Sequence, residues 1–166
     1  MNAEHPDYSI VRNLWVFQKE VLEILSRVRG LIGALTCRER SCAACSQPFE
    51  CADTMLDLAA MLDRLRSKLI HDDVKRAAFD VLSTVPEFAS ETARVREDHN
   101  VLEAALDDVI ELVSCSEVEN PATLGEIRAR LQPLPSKISS HLTSFIDLFR
   151  RAMLTRAFKA EPVGAP

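Results

Sequence analysis

The chain has 166 residues, 47% hydrophobic and 27% charged, with a formal net charge of -5. That balance suits one domain over residues 1–166 with its own core, and excludes extensive disorder. With no basic surplus no nucleic-acid partner is expected, and 4 glycines with 5% aromatics argue against a turn-rich sandwich or barrel.

The opening, Met1-Asn-Ala-Glu-His-Pro-Asp7, has neither the basic nor the apolar region of a secretory leader. No apolar run approaches the roughly 18 residues of a spanning helix, so no membrane role is expected. The expected location is the cytoplasm, where cysteines are thiols or metal ligands rather than disulfides.

Ile10, Leu14, Phe17, Val21, Ile24, Val28 and Leu31 alternate spacings of four and three, the seam of a long first helix. Gly30 and Gly33 weaken its end, and a segment with four cysteines, Cys37, Cys42, Cys45 and Cys51, follows. Pro48 suits the first turn of a second helix, whose seam is Met55, Leu58, Leu62, Leu65 and Leu69 and which is expected to reach Leu82. Thr84-Val-Pro-Glu87 reads as a capping box opening a third helix, with Val95, His99, Leu102, Leu106, Val109 and Val113 on one face. Asn120-Pro121 starts a short helical stretch to about Leu131, and Pro133 and Pro135 are expected to break it. The last helix is expected from Ser136 to Phe158, with Ile138, Leu142, Phe145, Phe149 and Met153 aligned. Residues 160–166 read as a frayed tail. Arg150, Arg151, Arg156 and Lys159 read as a solvated helix end. Four long amphipathic segments with mostly short connections predict an all-α, antiparallel four-helix bundle.

Two stretches carry a family resemblance. Val81-Leu-Ser-Thr-Val-Pro-Glu-Phe88 leads into Val95-Arg-Glu-Asp-His-Asn-Val-Leu102, and His141-Leu-Thr-Ser-Phe-Ile-Asp-Leu-Phe149 follows in the last helix. Together they resemble the hemerythrin-like (HHE) bundles between Leu65 and Met153, and with the first helix the likeness covers most of the chain. The resemblance implies histidines and carboxylates from all four helices converging on a centre where two irons bind oxygen or nitric oxide. Of the implied ligands, His99, His141, Glu103 and Asp72 match in type. Phe17 and Phe145 stand where the family has ligands, and Lys68 falls at or near another, with His71 close by. Two rings on inward faces favour a dry core, which argues against a full di-iron site.

Helical spacing puts His99 in mid-seam and His141 at the border of its seam. His99 then reads either as a core histidine bonded to a polar neighbour or as a ligand of a mononuclear site with His141 and a carboxylate. His71 falls opposite its seam, towards solvent. The run after it lacks the small residues and glycine of a phosphotransfer histidine.

Four thiols within one segment can converge on a soft metal. The C-x4-C-x2-C spacing of Cys37, Cys42 and Cys45 resembles plant-type ferredoxin loops, which implies an iron–sulfur cluster. Zinc also accepts four thiolates, and plain thiols or a reversible thiol switch are the other readings. No nucleophile, base and orienting carboxylate share a recognisable spacing, so no enzymatic activity is expected. Three functions stay open: a non-catalytic regulatory or sensory module with a protein partner and its input at the cysteines, oxygen or nitric oxide binding through His99 and His141, or a cofactor-free interaction scaffold.

Overall fold

The apolar seams of four long helices meet in one core. In the computed structural model, α1 spans Pro6–Glu39, α2 Pro48–His71, α3 Asp73–Ser83, α4 Ala89–Cys115, α5 Pro121–Leu131 and α6 Leu134–Ala160, with a 3-10 turn at Pro86–Phe88. The structure describes residues 6–39, 48–115 and 121–160, with side chains over 9–34, 53–70, 72–115 and 122–156. Cys42, Cys45, the side chains of Cys37, Cys51 and His71, and the tail after Ala160 lie outside the described residues.

Leu14, Phe17, Val21, Ile24 and Val28 line the inner face of α1, and Met55, Leu58, Leu62, Leu65 and Leu69 that of α2. From α4 come Val95, Leu102, Leu106, Val109 and Val113, and from α6 Ile138, Leu142, Phe145 and Phe149. Burying a side chain of this size contributes about 1.5–3 kcal/mol. Helix α1 packs on α2 and α6, and α4 packs on the same two, so α1 and α4 face each other diagonally. Arg151 pairs with Glu91, and His141 stacks on His99. As α4 advances from Glu91 to His99 its α6 neighbour steps back from Arg151 to His141, so these helices run antiparallel. Helix α5 lies against α1 and α4, and α3 against α1, α4 and α6. No helix among the described residues is long and apolar enough to cross a membrane.

Three expected boundaries need correction. The second helix does not run unbroken to Leu82: Asp72 is extended, at φ -71° and ψ 123°, and its side chain accepts from Val74 N at 2.9 Å. The short polar side chain caps a new helix here, which competes well with continuing the old one. Thr84 does not open a capping box. It ends α3, donating from Oγ1 to Val81 O at 2.7 Å, and the 3-10 turn precedes α4. The last helix starts at Leu134, because Pro135 fits the first turn, where its missing N–H costs nothing.

Candidate functional site: a lysine between two histidines

The interruption at Asp72 resets the helical phase, and α3 therefore turns Lys75, Ala78 and Leu82 inward. Lys75 is only 2% exposed. Its Nζ lies 3.0 Å from Leu69 O, 2.6 Å from His99 Nδ1 and 3.4 Å from His141 Nε2. Leu69 O is one of the carbonyls left over at the end of α2, so the ammonium closes that helix terminus and complements its dipole. Phe79 and Phe145 place their rings 6.0 and 5.8 Å from the same Nζ, within cation–π range. The two rings also pack on each other, with centroids 4.9 Å apart.

The histidines stack at 5.6 Å between centroids, His99 half-buried on α4 and His141 5% exposed on α6. Burial lowers the Lys75 ammonium to about 7, against the opposing charges of Asp72 and Glu103. Burial, helped by the charge of Lys75, brings His99 down to about 4. His141 falls to about 3 through burial, then Lys75, then His99. Both imidazoles are therefore neutral at physiological pH and available as acceptors.

In the ammonium form Lys75 has three N–H bonds and three acceptors around it. Leu69 O can only accept, so His99 accepts on Nδ1 and carries its proton on Nε2. His141 accepts on Nε2 and carries its proton on Nδ1. That Nδ1 is buried and has no hydrogen-bond partner. A buried N–H without an acceptor costs about 1–3 kcal/mol. A cleft of about 290 Å³ lies between α4 and α6, and His141 is among its lining residues.

Of the ligands implied by resemblance, the fold brings together His99 and His141 and no others. Asp72 is committed to capping α3 and to Lys68, at 3.3 Å. Glu103 stands one turn after His99, half-buried, and touches Lys75 only through its field. No group of three or more metal-binding side chains gathers among the described residues. A metal would need each imidazole nitrogen at about 2.0–2.1 Å, and here His99 Nδ1 and His141 Nε2 both face Lys75 Nζ. Phe17 and Phe145 are 2% and 0% exposed in the core. Lys68, at another ligand position, pairs outward with Glu20 at 2.6 Å, a contact that holds its pKa above the usual value. The residues at the centre do not fit a di-iron group.

Sequence reasoning missed Lys75, because His71-Asp-Asp-Val-Lys-Arg76 looks like a solvated run. One signal was present. Lys75, Ala78, Phe79 and Leu82 form a complete i, i+3, i+4, i+7 seam once Asp72 is taken as a new N-cap. Comparison with protein-family models, curated proteins and solved structures returns no match.

Proposed function

We propose that this chain is a hemerythrin-like bundle acting as a non-catalytic regulatory or sensory module, with a lysine ammonium in place of a central metal. The observation that carries this reading is the position of Lys75 Nζ between His99 Nδ1 and His141 Nε2. The two departures from the family pattern fit each other. A metal with a carboxylate partner is replaced by an ammonium with the Phe145 ring beside it. Both arrangements place positive charge between the same two imidazoles, but only one depends on a supply of metal. A centre of this kind can respond to protons or to ligands that alter its hydrogen bonding.

The cysteine segment remains the second part of the proposal, resting on its spacing alone. Thiolates at Cys37, Cys42, Cys45 and Cys51 would select a soft metal, zinc or an iron–sulfur cluster, at the junction of α1 and α2. A change at that junction would alter helix ends and so the surface offered to a protein partner.

The reading is tested by titrating the full chain with ferrous iron under anaerobic conditions, beside a His99→Ala variant, with the cysteines alkylated. Wild type is expected to hold no histidine-bound iron. Tight iron binding that His99→Ala abolishes would overturn the metal-free centre and favour metal-dependent gas binding instead.

A further inference from the structure

The outer surface of α1 carries an apolar stripe. Trp15 is 72% exposed, and Val11 and Leu22 are exposed on either side of it. At about 100° per residue the three fall within about 40° of one another, along about 16 Å of helix. The other exposed large apolar side chains do not add to it: Leu56, Val101 and Leu154 stand one to a helix on α2, α4 and α6, and Val16 lies about 100° round α1 from Trp15. Arg12, Lys19 and Glu23, all exposed, border the stripe along one flank. Lys19 and Glu23 stand 4.0 Å apart, at the limit of an ion pair. An aromatic and two aliphatic side chains with charges along one edge have the composition of an interface core and its rim.

We propose that this face of α1 pairs with the same face of a second copy of the chain, antiparallel and about a two-fold axis. In such a pair the same flank of each helix meets, and every contact is made twice. Three pairings then agree on one register. With Trp15 set opposite Lys19 of the second copy, the ammonium can sit over the indole ring. The same setting brings Val11 within one residue of Leu22 of the second copy, an axial offset of about 1.5 Å. It also brings Arg12 within one residue of Glu23 of the second copy, so opposite charges face each other on both sides of the axis. An unrelated partner would require no such agreement within α1 itself, and this agreement selects a second copy as the occupant.

Three apolar side chains along about three turns make a small interface, so the dimer is expected to be weak and reversible. It goes beyond the sensory reading and does not depend on it, because it uses none of the residues around Lys75.

The experiment is sedimentation equilibrium of the full chain, reduced so that no disulfide links two copies, from about 1 μM to about 1 mM. The emission of Trp15, the sole tryptophan, is read over the same range. Wild type is expected to pass from monomer to dimer, and the indole emission to move to the blue as water leaves the ring. Trp15→Ser, at an exposed position, is expected to fold and to weaken dimerisation at least about tenfold. Arg12→Glu is expected to weaken it about fivefold. Arg12→Glu with Glu23→Arg is expected to recover most of that loss, because the reversed pair meets again across the axis. A chain that stays monomeric throughout overturns the proposal and leaves the stripe to a different kind of partner. A dimer whose Trp15 emission does not move, or a double reversal that recovers nothing, overturns it as well.

Discussion

Lys75 Nζ sits 2.6 Å from His99 Nδ1, although the two residues belong to different helices and both are basic. Two basic groups at this distance cannot both carry charge, so the proton rests on the stronger base and the imidazole accepts. Lowering of both groups by burial has the same cause, an interior that solvates neither cation well.

Removing the lysine charge should release the histidines. Lys75→Met keeps most of the side-chain volume while deleting the ammonium. Since the charge of Lys75 lowers both His99 and His141, their titration midpoints should rise in the variant. Ring-proton NMR against pH measures this directly. Unchanged midpoints would mean that Lys75 does not face them in solution.

Stability should rise with pH in two windows. His99 and His141 are depressed from 6.5 to about 4 and about 3, so over that interval the unfolded chain binds more protons than the folded one. Stability is thus lost as pH falls from 6.5 towards 3. Lys75 is depressed from 10.5 to about 7, so its contribution grows as pH rises through that window and is flat below it. Denaturant unfolding at a series of pH values checks both slopes. In Lys75→Met the alkaline rise should vanish, and its persistence would assign the slope to other groups.

The long helices and their core were legible because apolar spacing survives in the sequence whatever the partner. Leu58, Leu62, Leu65 and Leu69 read as one face and are one face. The break at Asp72 was not legible, because an aspartate inside a helical pattern can be a solvated side chain or a cap, and tertiary packing decides which. That single choice moved Lys75 from the surface to the centre. Periodicity put His99 in mid-seam and His141 only at the border of its seam, and it could not show the cation between them.

Asp72 sets the phase of α3, so its loss should be felt at the site. Asp72→Ala removes a cap worth about 1 kcal/mol, which for a chain of this size lowers the melting temperature by about 2–4 °C. It also removes a negative charge that supports the Lys75 ammonium, so the lysine midpoint should fall further. Thermal denaturation and lysine NMR measure the two effects. A stability loss without a change at Lys75 would separate the cap from the cluster.

The proposed replacement of a metal by an ammonium can be run backwards. Lys75→Ala with Phe145→Glu clears the space between the imidazoles and adds a carboxylate one turn after His141. The double variant should bind cobalt(II) with the ligand-field spectrum of nitrogen and oxygen ligands, and wild type with alkylated cysteines should not. No cobalt binding by a folded double variant would count against the hemerythrin-like reading of the centre.

For Cys37, Cys42, Cys45 and Cys51, anaerobic purification followed by metal analysis and a visible spectrum decides between the proposals. A brown protein absorbing near 400 nm (roughly the iron–sulfur range) points to a cluster, and colourless protein with zinc points to a structural clip. Whichever metal is found should be lost in Cys42→Ser with Cys45→Ser. Metal-free wild type with freely reacting thiols would remove the cysteine segment from the account.

The central claim, that a lysine ammonium is held between two neutral histidines, is tested most directly by long-range nitrogen–proton correlation of the imidazole rings across pH. His99 should appear as the Nε2–H tautomer and His141 as the Nδ1–H tautomer at mildly acidic pH, with midpoints lowered to about 4 and about 3. Two histidines titrating near 6.5 with mixed tautomers, and a lysine near 10.5, would contradict it.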